Sequence, residues 1–337
     1  MASYFSTSWT IVACILIPVI GFVLSVIYSY ELRKIAARLQ GRRGPYFIVP
    51  KEARSILGVS RIWQPLYDIL KLLYKETRIP ATANKLLFKA APYVALSSLV
   101  AALYFVPVAG FSPFAQFEFS IVVVSYLLLL IPLSLTVGGA ASSSPWGAIG
   151  SQREAELTLA YEVPQILGIF ALAITANTLS VWNLIEFQNQ KAPFIFLNPL
   201  AALTVFISLL GKLQVKPFDI PEAEVEIVSG PATEYSGRLL GILEILRTFL
   251  VFLVPTLFID LFLGGAIVGP ALSVVRPSSI VLFLAESLMI VLVAAIIHVF
   301  SPRLRVDQAF NWFARFPLVI GVLAIIWAYA IKLLGIV

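Results

Sequence analysis

Eight stretches of mainly apolar residues constrain this chain more than any other feature of its sequence. A helix needs about 20 such residues to cross a bilayer. The chain is 60% hydrophobic and 12% charged, whereas a soluble domain carries about 25% charged residues. We therefore predict an all-α integral membrane protein, with one transmembrane domain over residues 1–337. Its approximately eight spanning helices are expected at 9–30, 86–106, 119–137, 157–179, 199–210 with flanks, 239–263, 279–300 and 316–334.

The basic residues predict how these helices are oriented. Between residues 31 and 89 lie 13 of the 24 Lys and Arg residues. Most of the others fall in alternate loops, and Lys and Arg concentrate on the cytoplasmic side of membrane proteins. We expect a multi-pass protein of the cell membrane with both termini outside. The first cytoplasmic loop, 31–85, should contain an amphipathic helix over 60–76, where polar residues recur at helical spacing.

The sequence also excludes several kinds of chemistry. Cys14 is the only cysteine and His298 the only histidine, so the chain cannot supply the ligands of an iron–sulfur cluster. Phosphate-binding glycine loops and nucleic-acid-binding patterns are absent. We therefore expect no cofactor, no metal and no nucleic acid on this chain, with any redox centre held by partner subunits.

A first group of polar residues opens the fourth predicted span. Arg153, Glu154 and Glu156 are expected near the membrane surface, and Glu162 lies deeper. At 100° per residue, Glu154 and Tyr161 share a helix face. A carboxyl at that depth favours its neutral form unless it is paired, so Glu162 is a candidate for proton exchange. A shallow acid reached by water is the alternative.

A second group forms an acidic segment in the loop 211–238. Five carboxylates fall within 16 residues: Asp219, Glu222, Glu224, Glu226 and Glu234. Clustered carboxylates repel one another, and this repulsion raises the pKa of some members. A proton or cation path would use that property, and an acidic loop in plain solvent is the alternative.

Three further ionisable residues stand out within predicted spans. Glu244 and Arg247 are three residues apart in the sixth span, a spacing that allows an ion pair on one helix face. Such an ion pair is equally consistent with a structural role and with a functional role. Glu286 is a single acid in the seventh span, and intramembrane charges usually mark function.

Motifs along nearly the whole chain complete the pattern: RRGP at 42–45, QPLYD at 64–68, YE at 161–162, PFDIPEAEVE at 217–226, EYSG at 234–237 and RLRVDQ at 303–308. Together they resemble the H-type membrane subunit of complex I (mitochondrial subunit 1) and its relatives in membrane-bound hydrogenases. The stretch from Gln64 to Pro92 is most similar to archaeal ferredoxin-using complexes that evolve hydrogen or reduce sulfane sulfur. Tyr46, an inserted stretch at 47–60 and Arg247 depart from the quinone-type pattern.

The resemblance implies a subunit that couples electron transfer in a peripheral arm to proton or sodium translocation. Its partners would be hydrogenase-like and iron–sulfur subunits, antiporter-like membrane subunits and the lipid bilayer. Arg42, Arg43, Gln64 and Asp68 would face the peripheral arm. The ion path and coupling residues would be Arg153, Glu156, Tyr161, Glu162, Asp219, Glu222, Glu224, Glu226, Glu234, Glu244 and Arg247.

Other functions stay open at the level of sequence. The chain could form the quinone chamber of a respiratory complex I, act as a stand-alone secondary ion transporter, or only anchor a hydrogenase-like arm.

Overall fold

A computed structural model describes residues 7–45, 61–110, 112–265 and 277–335. Every regular element in these ranges is helical. The α-helices are α1 Thr7–Leu39, α2 Gln64–Tyr74, α3 Lys85–Leu103, α4 Ser120–Ala140, α5 Pro145–Ala176, α6 Val181–Gln190, α7 Phe194–Leu197, α8 Pro199–Lys212, α9 Glu224–Ile227, α10 Gly237–Phe262, α11 Pro277–Phe300, α12 Val306–Arg315 and α13 Pro317–Leu333. The predicted all-α membrane fold is confirmed.

Seven segments of the described chain are long and apolar enough to cross a membrane. They are Cys14–Leu39, Lys85–Leu103, Ser120–Ala140, Pro145–Ala176, Gly237–Phe262, Ser279–Phe300 and Val306–Leu333. The predicted span at 199–210 is instead the shorter helix α8, which has 14 residues and packs against α5 and α13. A helix of that length rises about 21 Å, less than the roughly 30 Å of hydrocarbon.

Two helices are longer than the apolar pattern predicts. The first continues to Leu39, well past the expected end at residue 30. The helix of the fourth predicted span, α5, begins at Pro145, twelve residues before the expected start at 157. Proline suits the first turn of a helix, because its φ is already helical and its missing N–H would be unpaired there. The polar residues 151–156 therefore belong to the same helix as Glu162.

Asparagine side chains fix the starts and ends of several helices. Asn84 and Asn198 accept hydrogen bonds from the amides of Leu87 (3.4 Å) and Ala201 (3.1 Å), which satisfies donors that lack a partner inside the helix. Asn177 ends α5 with φ +58°, a left-handed conformation that asparagine tolerates better than most residues.

The central helix of the bundle is α10, which packs against α1, α2, α3 and α11. Its side chains Phe252 and Leu253 are fully buried. Lipid tails are as apolar as leucine, so helices in a bilayer associate through close packing rather than through escape from water. Gly168 of α5 shows this packing: a Cβ placed there would lie 2.5 Å from Cγ2 of Val205 in α8.

The predicted amphipathic helix is present as α2, over a shorter range than 60–76. Pro65 and Ile69 are buried, and the helix packs on α10 and α1. Tyr74 at its end is 89% exposed. A second amphipathic helix, α12, lies directly before α13 and was not predicted. Its Phe313 is buried against Phe218 of the acidic loop.

Candidate functional site

The acidic loop between α8 and α10 lies against the ends of three other helical segments. Arg303, between α11 and α12, donates a hydrogen bond to Asp219 over 2.6 Å. Arg153 of α5 donates one to Glu226 over 2.7 Å. These ion pairs hold two of the predicted acids to basic residues from distant parts of the chain, so the loop is not free in solvent.

Backbone packing holds the same loop to α5. Gly230 has φ +52°, and a Cβ there would lie 1.8 Å from the carbonyl oxygen of Pro221. A Cβ on Gly150 of α5 would lie 2.5 Å from Cα of Gly230. Only glycine combines the left-handed conformation with such close approach. The loop and the helix therefore meet backbone to backbone.

A chain of alternating charges, here the charge ladder, runs from α2 across α1 to α10 and the acidic loop. It comprises Asp68, Arg33, Glu244, Arg247 and Glu222. Arg33 lies 3.6 Å from Asp68 and donates a 2.9 Å hydrogen bond to Glu244. Arg247 lies 3.4 Å from Glu244 and also donates to Glu222. The predicted pair of Glu244 and Arg247 is thus the middle of a longer network, and Arg247 has two carboxylate partners.

A cavity of about 150 Å³, the inner cavity, lies beside the end of the charge ladder. Its polar lining comprises Glu154, Tyr161, Lys212, Gln214, Glu222 and Arg247. Glu154 is 2% exposed and accepts a 2.7 Å hydrogen bond from the Gln214 amide. The expectation that Glu154 lies at the membrane surface is therefore not met. The early start of α5 directs this side chain into the bundle.

Glu162 is paired with a lysine that the sequence did not suggest. Nζ of Lys212, the last residue of α8, lies 2.6 Å from Oε1 of Glu162. The two side chains are 2% and 6% exposed. Nζ of Lys212 also lies 5.7 Å from the centre of the Tyr161 ring, within reach of a cation–π interaction. Glu162 is therefore a buried acid with one close cation.

The ion pair between Lys212 and Glu162 lies between two cavities. Lys212 lines the inner cavity, and Glu162 lines a second cavity of about 90 Å³ between α4 and α5. Ser125 and Tyr126 of α4 line this side cavity too, and Tyr126 is 65% exposed. The pair is thus the polar contact that separates a cavity inside the bundle from one at its side.

The carboxyls of the acidic loop differ in their electrostatics. Burial raises the pKa of Glu222, against the opposing effect of Arg247. Burial likewise raises the pKa of Asp219, against the hydrogen bond from Arg303. The hydrogen bond from Arg153 lowers the pKa of Glu226, which is 49% exposed. Burial therefore favours proton uptake by Glu222 and Asp219, whereas Glu226 stays ionised.

Other predicted residues lie outside this polar region. Glu156 accepts a 3.0 Å hydrogen bond from Gln152 on the surface of α5. Glu234 is half-buried and makes no ion pair with any residue of the described chain. The backbone of Glu224 begins α9, and its side chain lies outside the described part of the chain. Tyr46 and the stretch at 47–60 are also outside it.

Three of the four residues predicted to face a peripheral arm line a groove of about 480 Å³ beside the charge ladder. Arg33, Arg42, Arg43, Gln64 and His298 line it, and Arg42 and Arg43 are exposed. Asp68 is the outer end of the ladder. Nδ1 of His298 accepts a 3.4 Å hydrogen bond from the Lys216 amide.

In the described residues, no three His, Cys, Asp or Glu side chains lie together in a way that could hold a metal. The arrangement is instead a set of ionisable groups inside a bundle of membrane-spanning helices. It begins at a loop and reaches the middle of α5. This fold and site define a multi-pass membrane protein with a polar interior.

Comparison with known proteins identifies the family. The chain belongs to the NADH dehydrogenase family, whose model matches residues 11–329. The H-type subunit of NADH-quinone oxidoreductase from Geobacillus thermodenitrificans (strain NG80-2) is 31% identical over 91% of this chain and 89% of its own length. The corresponding protein of Bacillus cereus (strain B4264) is 29% identical over 94% of this chain and 93% of its own length.

A solved structure shows the same fold. A chain in the membrane-bound sulfane sulfur reductase (MBS), an archaeal respiratory membrane complex, matches with a TM-score of 0.82 and 27% identity. The match covers 95% of this chain and 99% of that one. The predicted kinship is confirmed: the chain is a membrane subunit of a complex I-like oxidoreductase and works with partner subunits. A stand-alone transporter is thereby disfavoured.

Proposed function

We propose that this subunit couples electron transfer in a peripheral arm to ion translocation in neighbouring membrane subunits. The observation that carries the proposal is the position of the Lys212–Glu162 ion pair between the inner and the side cavity. The charge ladder and the acidic loop meet the inner cavity at Glu222 and Arg247. A change of charge at the loop therefore reaches the ion pair through consecutive polar groups.

Arg247 is the residue at which such a change would act. It is shared by Glu222 and Glu244. If Glu222 takes up a proton, Arg247 loses one carboxylate partner and its positive charge acts more strongly on the cavity. Glu154 lines the same cavity as Arg247, so this change of charge acts on the Glu154 carboxyl across the cavity.

The same proposal specifies the partner subunits and the location of the protein in the cell. The groove with the exposed Arg42 and Arg43 would receive the peripheral arm, formed by hydrogenase-like and iron–sulfur subunits that accept electrons from ferredoxin. The side cavity at Glu162 would face antiporter-like subunits that carry protons or sodium. The solved relative favours reduction of sulfane sulfur, and hydrogen evolution is the neighbouring possibility. The protein would lie in the cell membrane with both termini outside.

The test uses the intact complex in liposomes, with ferredoxin-driven electron transfer and ion uptake measured together. Glu162→Gln and Glu222→Gln should lower the number of ions moved per electron, because each removes a titratable group from the connection. Glu118→Gln, which changes an exposed acid between α3 and α4, is the matched control and should leave the ratio unchanged. Normal ratios in both test variants would refute the coupling role.

The relatives support a second candidate, a subunit that forms a quinone chamber. Their names specify NADH-quinone oxidoreductase, and the groove lined by Gln64 and His298 has the volume of a ligand site. A photoreactive quinone analogue should then label residues of this groove in the purified complex. Absence of labelling, with electron transfer intact, would exclude the quinone role.

A further inference from the structure

The side cavity gives Glu162 an outlet that neither the charge ladder nor the inner cavity uses. It has a volume of about 90 Å³. Its lining extends along α4 from Ile121 to Leu129 and along α5 from Glu162 to Phe170, and eight residues of helix rise about 12 Å. Glu162 therefore lies at one end of an elongated space between two helices of the bundle.

Three polar side chains line the side cavity, and its other lining residues in the described chain are apolar. The polar ones are Glu162 of α5 and Ser125 and Tyr126 of α4. The Ser125 hydroxyl donates a 2.8 Å hydrogen bond to the carbonyl of Ile121 in its own helix, so its oxygen can still accept one. Tyr126 is 65% exposed, whereas the Glu162 side chain is 6% exposed. The cavity thus connects a buried carboxyl with a hydroxyl-bearing residue on the outer surface of the bundle.

Water fits the side cavity by volume and by chemistry. A buried water molecule needs two to four polar partners, and the carboxyl and the two hydroxyls supply them. Liquid water occupies about 30 Å³ per molecule, so the volume accommodates about three molecules. Three waters between a carboxyl and a hydroxyl make four hydrogen bonds of about 2.8 Å each, or about 11 Å in all. That length matches the length of the cavity.

We propose that the side cavity is a water-filled proton outlet of Glu162, with Ser125 and Tyr126 as its hydroxyl groups. When Glu162 carries a proton, its carboxyl donates that proton to the first water, and each water passes on one of its own. As the Tyr126 oxygen accepts the last of these, its own hydroxyl proton leaves toward a neighbouring membrane subunit. Glu162 is then ionised and paired with Lys212, and the waters and the tyrosine are unchanged. This inference rests on the proposed coupling role and adds the residues by which the proton leaves this chain.

A packing role for Tyr126 is the alternative, because tyrosine is enriched at both surfaces of a membrane. The two roles predict opposite effects of two replacements. Tyr126→Phe retains the ring and removes the hydroxyl, whereas Tyr126→His changes the shape of the ring and keeps atoms that donate and accept protons. A proton outlet requires that histidine preserve function better than phenylalanine, and a packing role requires the reverse.

The test measures the protons moved per electron transferred by the intact complex in liposomes. Tyr126→Phe should remove most of the coupled proton movement, and Tyr126→His should restore most of it. Tyr93→Phe is the matched control and should leave the ratio unchanged, because Tyr93 of α3 is 55% exposed and lines neither cavity. A ratio for Tyr126→Phe equal to that of the unchanged protein, or higher than that of Tyr126→His, would overturn the proposal.

A second variant fills the side cavity and does not alter Tyr126. Ser125→Leu adds apolar atoms to the cavity wall and removes one partner of the water, so the proton-to-electron ratio should fall. Ser97→Leu is its control, because the Ser97 hydroxyl also donates to a carbonyl of its own helix, at an exposed position on α3. An unchanged ratio in Ser125→Leu would overturn the proposal.

Glu162→Gln, measured alongside, separates this inference from the coupling role. A lower ratio in Glu162→Gln, together with unchanged ratios in Tyr126→Phe and Ser125→Leu, would overturn the outlet and leave the coupling role standing. An unchanged ratio in Glu162→Gln would overturn both. Coupled movement of sodium in place of protons by the unchanged complex would also overturn the outlet, since a sodium ion cannot be exchanged along hydroxyl groups.

Discussion

Replacement of Lys212 by Met tests the buried ion pair most directly. Lys212→Met retains an unbranched side chain, one atom shorter, and removes its charge, so Glu162 is left 6% exposed without a cation. Removal of one partner of a buried pair costs about 3–5 kcal/mol.

The expected loss of unfolding free energy is therefore about 3–5 kcal/mol. Denaturant unfolding of the purified complex in detergent would measure this loss. The double variant Lys212→Met with Glu162→Gln has no buried charge and should recover to within about 1 kcal/mol of the unchanged protein. Additive effects of the two replacements on the unfolding free energy would refute the ion pair.

Two further predictions concern the attachment of the acidic loop to α5. Gly150→Ala places a methyl group 2.5 Å from Cα of Gly230, so overpacking should destabilise the protein by about 1–3 kcal/mol, measurable by denaturant unfolding. Arg153→Gln removes the partner of Glu226, whose pKa is lowered by that hydrogen bond. A lowered pKa means that the contact stabilises the loop above the ordinary carboxyl range and is lost as pH falls through the folded value. Hydrogen exchange of residues 219–236 should therefore be faster in Arg153→Gln at neutral pH and equal to the unchanged protein in strong acid.

The controls for these two predictions are neighbours on α5. Ala155→Gly adds no atoms and leaves the contact with the loop intact. It should therefore lower the free energy of unfolding by no more than about 1 kcal/mol, which is the difference in helix propensity between alanine and glycine. Gln152→Ala changes an exposed residue and should not alter exchange in the loop. Unchanged stability of Gly150→Ala would contradict the close backbone contact. Faster exchange of Arg153→Gln at every pH would contradict the assignment to Glu226.

The positions of the spanning helices were predictable, because apolar length alone determines which segments can enter a bilayer. The residues at which these helices start and end were less predictable. Residues 145–156 contain charges and a proline, which the hydropathy pattern assigned to the loop before the span. In the structure the same residues are the first turns of α5. As a result, Glu154 was expected at the surface and is buried instead.

The acids of the site were predictable, whereas their partners were not. Glu162 and Glu222 stand out because charges are costly at membrane depth or cluster in one loop. Lys212 ends a short apolar helix and resembles an ordinary basic residue at a membrane surface. Only the packing of α8 on α5 brings it to Glu162. Asp260 of α10 is fully buried and was overlooked, because it lies near the end of a strongly apolar span where the sequence alone does not indicate that it faces the interior.

The glycine contact between the acidic loop and α5 has a mechanical consequence. No side chain lies between Gly230 and Gly150 that could change rotamer and absorb a displacement. A shift of the loop must therefore move the backbone of α5. Glu154 and Glu162 are on the same continuous helix and would move with it. A displacement of the loop would then reach the buried ion pair as a movement of the whole helix, in addition to any change in the electric field.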